Sequence, residues 1–217
     1  MWSTFEPLPP DRLVIDGFPH FTAAVQAAAA GDVESARAKL LAVDSDAIRT
    51  WFIEHAQVAG NARITALGRT APDPYVGPVD ELAYPRVATV AEVLRADGYR
   101  CRYCQRPVVQ KDVLTLLQRI VGKGSFSLGP TNLEMHGSVI AHRAVVDHVV
   151  PRKRGGPTQL GNLVAACYPC NFGKAHYTLE ELGIEPPRPA LRDGWDGLQS
   201  LVPALKEQAR SAAIRSI

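Results

Sequence analysis

The sequence predicts an α+β protein: a small α-helical N-terminal region, then a zinc-clamped ββα unit, then a C-terminal helix. Three observations predict it. Residues 21–59 combine Ala-rich runs with apolar side chains at helical spacing. All four cysteines fall into two Cys-x-x-Cys pairs, Cys101/Cys104 and Cys167/Cys170. Between the pairs lie two β-branched or apolar stretches, 138–146 and 163–166, separated by a basic Gly-Gly loop and followed by a helical segment.

With 217 residues the chain has material for one large domain or two small ones. At 46% hydrophobic and 21% charged it reads as an ordinary globular protein, and no apolar run approaches the ~18 residues that span a bilayer. Residues 1–7 have no basic flank and no apolar core, so no secretory signal is expected and a cytoplasmic, reducing setting is. There, paired Cys-x-x-Cys motifs favour a metal over a disulfide. The net charge of +2 conceals an asymmetry. Residues 99–176 carry 11 Lys+Arg against 3 Asp+Glu, a net +8, whereas residues 1–98 carry −5 and residues 177–217 carry −1. A basic segment in an otherwise acidic chain is the footprint of a polyanion-binding face.

Taken in order, residues 1–17 are Pro-rich and expected to be irregular. Helical pattern begins at Phe21. Gly31 ends that helix and Asp32 can N-cap the next, 33–42. Asp44 or Ser45 caps a third, with Ile48, Phe52 and Ala56 on one face, and Gly60-Asn61 suggests its stop. His20 and His55 read as ordinary core or surface residues. Together residues 1–67 form the helical region. Residues 68–86 hold Gly68, Pro72, Pro74, Gly77, Pro78 and Pro85 and read as a linker. A helix follows over about 88–96, another over 111–121 (Val113, Leu116, Leu117, Ile120), and a flexible loop over 122–129. Residues 138–146 are expected as a strand. Thr178 and Glu181 can form a capping box. Residues 179–217 are a helical extension, with Trp195, Leu198, Leu201 and Leu205 docking a last helix over about 197–213.

The cysteines carry the firmest chemistry. A two-residue gap lets both thiolates of a pair reach one ion, and two such pairs make a closed tetrahedral Zn2+ site, which is structural rather than catalytic. Between and after them stand Asp147-His148-x-x-Pro151, Gly155-Gly156, Asn162-Leu163, Asn171 directly after Cys170, and Lys174. In this order, over residues 92–178, the chain resembles the HNH endonuclease family, whose fold is a ββα-metal unit. Residues 87–178 are therefore expected as the HNH nuclease domain. The 42 residues between Cys104 and Asp147 exceed the family's compact form, so about 105–136 reads as an insertion. The tail Trp195-Asp196-Gly197-Leu198 looks like that of a bacterial subgroup of HNH proteins.

The resemblance implies metal-dependent hydrolysis of DNA phosphodiester bonds. His148 is the expected general base, with a near-neutral imidazole suited to the task. Asp147 and Asn171 are the expected oxygen ligands of Mg2+ or another divalent ion. Asn162 is expected to pin the loop so that His148 points at the water. Arg152, Lys153, Arg154, Lys174 and His176 are the expected nucleic-acid contacts. His176 rivals Asn171 as a ligand, and His136 and His142 are weaker rivals. The other reading is a non-catalytic zinc-stabilised module that binds nucleic acid. One active site cuts one strand, so a double break would need a dimer or two encounters; besides DNA, the expected partners are a second copy of the chain or a protein bound through the N-terminal helical region.

Overall fold

The computed structural model describes residues 6–7, 11–70, 75–81 and 84–215. Of the expected irregular lead-in, residues 1–5 and 8–10 lie outside these. From Arg12 on the chain is already helical. Helix α1 (Arg12–Ala29) starts where Asp11 accepts from the Leu13 backbone N–H at 2.9 Å. It contains Pro19, whose carbonyl accepts from the Thr22 hydroxyl at 3.0 Å. Gly31, at φ 85°, turns the chain, and Asp32 caps α2 (Val33–Leu41) through Ser35 N–H at 3.0 Å.

The third expected helix is divided. Helix α3 (Ser45–Trp51) passes into a single π-helical turn, Phe52–Ala56, and α4 (Ala59–Ala66) follows. Gly60 and Asn61 lie inside α4 rather than ending a helix. Gly60 is there because of close packing: a Cβ would lie 2.8 Å from the Tyr177 ring and 2.9 Å from the Gly173 carbonyl. Helices α5 (Val87–Ala96) and α6 (Lys111–Val121) match their apolar spacing.

Residues 138–146 are not one strand. They divide into α7 (Gly137–His142) and β1 (Ala144–His148). Every residue of α7 is buried, and the Gly137 N–H donates to the Ser45 hydroxyl. A Cβ on Gly137 would come within 2.8 Å of Ser45 Cα, so α7 packs on α3 at backbone contact, and that burial overrides the strand propensity of Val139 and Ile140. Strand β2 (Leu163–Cys167) runs antiparallel to β1, pairing Ala144 with Cys167 and His148 with Leu163. Helix α8 (Tyr168–Lys174) follows without a loop, which completes the ββα unit. Short α9 (Leu179–Leu182) has the expected Thr178/Glu181 capping box. A 3-10 turn over Gln199–Leu201 leads into the C-terminal α10 (Val202–Arg215).

The chain forms two units, each assembled from separated segments. One takes Phe52–Val108 and Ala144–Trp195 together with Glu6 and Pro7; the other takes residues 11–51, Val109–Arg143 and 196–215. In the second, α1 packs on α2, α6 on α10 and α3 on α7, around Phe21, Leu40, Ile48, Leu117, Phe126 and Ile140. In the first, the core joins Leu94, Tyr103, Val108, Val164, Ala165 and the four cysteines.

His136 N-caps α7: its Nδ1 accepts from Ser138 N–H at 3.2 Å. Burial lowers its pKa from 6.5 to about 4, with Arg49 reinforcing and a hydrogen bond with the Leu40 backbone opposing. Below pH 6.5 the unfolded chain takes up a proton that the folded chain refuses. Stability is thus lost as pH falls from 6.5 towards 4, by at most about 3 kcal/mol, and the loss levels off below that. Urea unfolding across this window should show a falling midpoint in the native protein. His136→Asn, which keeps a capping oxygen, should have a shallower slope; equal slopes would assign the effect to other groups.

Candidate functional site

The four cysteines are buried and unpaired by disulfides, and their sulfurs all lie within 4.8 Å of one another. Two elements bring them together. The turn after α5 carries Cys101 and Cys104, closed by Cys101 N–H to Arg106 C=O at 2.9 Å. The β2–α8 junction carries Cys167 and Cys170, and Cys167 Sγ is itself the N-cap of α8, accepting from Cys170 N–H at 3.4 Å. A tetrahedral Zn–S4 site with ~2.3 Å bonds needs sulfurs about 3.8 Å apart. Cys104 and Cys167 stand at 3.8 Å, so the set fits a metal such as zinc. Arg106 lies against it, with Nε 3.3 Å from Cys104 Sγ and Nη2 3.4 Å from Cys167 Sγ. Burial disfavours the Arg106 charge, but Cys104, Cys167 and Cys170 outweigh it and hold the guanidinium above the ordinary arginine range.

The sheet then carries this anchor to the next residues. Arg102 N–H donates to Ala165 C=O at 2.8 Å, tying the first cysteine turn to β2, and β2 holds β1 in register. Asp147 and His148 end β1. Asp147 is buried. Its Oδ2 accepts from the Tyr103 hydroxyl at 2.6 Å and lies 3.2 Å from Lys174 Nζ; its Oδ1 lies 3.4 Å from the same ammonium. Burial and then Asp147 push the Tyr103 phenol well up, so it stays a donor. Lys174, expected on a phosphate, is fully buried and also donates to His148 C=O at 2.8 Å. His148 is half-buried. Burial lowers its pKa, with Lys174 and Arg152 acting the same way and Asp147 and Asp80 opposing. Its Nε2 is 2.9 Å from the Thr158 hydroxyl, and its Nδ1 has no protein partner among the described residues.

Asn162 closes the loop between the strands. Its Oδ1 accepts from Val150 N–H at 2.8 Å, and its Nδ2 donates to the Val150 and Pro157 carbonyls at 3.0 Å each. A Cβ on Gly156 would overlap the Val150 carbonyl, which accounts for the second glycine; the first, Gly155, has φ 79°. Arg152 and Lys153 point to the cleft, whereas Arg154 pairs with Glu181 at 3.2 Å. Asn171, on the first turn of α8, is half-exposed with no side-chain partner among the described residues. Asp147, His148, Asn171, Arg152, Lys153 and His176 thus open onto one cleft of about 450 Å³, with Tyr84 and Phe172 on its wall. His136 and His142 belong to the other unit.

Residues 134–176 match the family model described as HNH endonuclease. The chain carries an HNH domain. Neither the curated proteins nor the solved structures yield a match. The family is one of metal-dependent nucleases, and none of the four cysteines lines the cleft. The donor types fit a hard divalent ion: a carboxylate on Asp147, with lone pairs beyond those that Tyr103 and Lys174 use, and an amide oxygen on Asn171.

The sequence reasoning missed Tyr103, Thr158 and Asp80. Tyr103 and Arg102 both lie between Cys101 and Cys104, and only the fold shows that Tyr103 is the fully buried one. Lys174 and Asp147 make a strong prediction together. Lys174→Met removes the counter-ion of a buried carboxylate, which should destabilise the unit by about 3–5 kcal/mol. Millimolar Mg2+ or Mn2+ should restore part of the thermal stability in the mutant and little in the native protein. A mutant melting temperature indifferent to divalent ions would show that Asp147 does not receive one.

Proposed function

We propose that this protein is an HNH-type DNA endonuclease that hydrolyses phosphodiester bonds, with His148 as general base. The observation that carries the reading is the convergence of His148, whose Nδ1 has no protein partner among the described residues, with Asp147 and Asn171 on one cleft beside basic Arg152 and Lys153. Asp147 and Asn171 would hold Mg2+ or a related divalent ion, which when bound stabilises charge on the scissile phosphate and the leaving 3′ oxygen. His148 Nδ1 takes a proton from a water as its oxygen attacks phosphorus and the P–O3′ bond breaks. The lowered imidazole pKa favours the neutral, basic form at neutral pH. Asn162 keeps the loop folded so that His148 does not swing away. Arg152, Lys153 and His176 meet phosphates, needing only charge or a donor. Lys174 neutralises Asp147 from beneath and positions the strand end through the His148 carbonyl. Cys101, Cys104, Cys167 and Cys170 would hold zinc, which when bound would keep α8, and with it Asn171, against β1.

A second reading is a zinc-stabilised module that binds nucleic acid without cutting it. It is favoured by one observation, the Lys174 ammonium already at both oxygens of Asp147, as in a protein that needs no ion there. Plasmid nicking separates the two. Purified protein with Mg2+, Mn2+ or EDTA should convert supercoiled DNA to nicked or linear forms only with the ion. His148→Ala should lower the rate at least about a hundredfold while zinc content and DNA affinity persist. Zinc-replete protein that binds DNA but cuts nothing with any divalent ion would favour the second reading.

A further inference from the structure

His148 is held from outside the ββα unit. The Pro- and Gly-rich stretch contributes residues 75–81, and these lie along the loop that follows β1. A Cβ on Gly155 would meet the Tyr75 ring and hydroxyl, so Tyr75 stands directly over that glycine. Arg152 Nη1 donates to the Asp80 carbonyl at 3.1 Å. The Asp80 carboxylate accepts from the Thr158 backbone N–H at 2.6 Å, the short distance expected of a charge-assisted bond. Thr158 in turn presents its hydroxyl to His148 Nε2 at 2.9 Å. A line of contacts therefore runs from residue 80 through residue 158 to the imidazole.

In neutral imidazole one nitrogen carries the proton and the other is the base, and the partner of one nitrogen decides the role of the other. Nε2 faces a hydroxyl oxygen able to accept from it, whereas Nδ1 has no protein partner among the described residues and His148 lines the cleft. We infer that Thr158 and Asp80 are positioning residues for His148: the Thr158 hydroxyl accepts the Nε2 proton and aims basic Nδ1 at the cleft, and the Asp80 carboxylate fixes Thr158 in place. The inference rests on the nuclease reading above and adds to it two residues, one of them from a segment far upstream in sequence. The two contacts are separable. Thr158→Val keeps the backbone N–H that Asp80 holds and deletes only the hydroxyl; Asp80→Ala deletes the clamp and leaves the hydroxyl.

The test measures kcat and KM for plasmid cleavage, with melting temperature and zinc content, in the native protein, His148→Ala, Thr158→Val, Thr158→Ser, Asp80→Ala and Asp80→Asn. Thr158→Val should lower kcat roughly tenfold or more with KM within about twofold, because alignment of the base is lost and phosphate contacts are not. Thr158→Ser, which restores a hydroxyl, should recover most of that loss. Asp80→Ala should also lower kcat, and Asp80→Asn, which retains an acceptor oxygen, should be closer to native. Native-like kcat in Thr158→Val, or equal losses in Val and Ser, would overturn the inference while an active native protein and inactive His148→Ala leave the nuclease reading standing. An inactive native protein would overturn the nuclease reading, and this inference with it.

Discussion

The convergence of four buried thiols on one point is the constraint on which the rest of the ββα unit depends. A two-stranded sheet of five-residue strands has little stability of its own. Here the four thiols bring residues 101–104 and 167–170 together at one end of it, and a metal held among them would stabilise the fold directly. Geometry then propagates outward. Cys167 ends β2 and caps α8, so one residue fixes where the strand stops and how the helix starts. Asn171 follows Cys170 by one residue and inherits that placement. Asp147 and His148 inherit theirs through the ladder between β1 and β2.

The second constraint is electrostatic. Asp147 is a buried carboxylate, and a buried charge needs both a counter-charge and donors to its lone pairs. Lys174 supplies the first and Tyr103 the second. This arrangement lets a buried carboxylate stand in the lining of a cleft. It also explains why a lysine three residues beyond Asn171 is buried whereas the nearby Arg152 and Lys153 line the cleft. Sequence separates these roles poorly, because a lysine shows only its charge until its neighbours are known.

What could be read from the sequence follows from which signals are local. The cysteine spacing, the Asp32 cap, the Thr178/Glu181 box and the amphipathic face of α6 are each complete within a few residues, and each is present in the structure. Of the strand expected over 138–146, residues 138–142 are helical: Val139 and Ile140 carry strand propensity, while the decisive fact, backbone contact between Gly137 and Ser45, is nonlocal. Gly60 misled in the same way: it permits a helix to approach Gly173 and Tyr177, which looks in sequence like a helix stop. Asp80 and Thr158 were invisible for a related reason. Pro- and Gly-rich composition indicates a connecting stretch and carries no sign of what it lies against, and a threonine after Gly-Gly-Pro is an unremarked loop residue until its hydroxyl is found at His148.

In the proposed nuclease one chain would hold two metals for two purposes, zinc for the fold and a hard ion for the cleft. Anomalous-scattering maps from crystals grown with Mn2+, recorded across the zinc and manganese absorption edges, test it most directly. Zinc should lie among Cys101, Cys104, Cys167 and Cys170, and manganese against Asp147 and Asn171 within reach of His148. Zinc at the cysteines with no manganese in the cleft, or manganese held by residues other than Asp147, would contradict it.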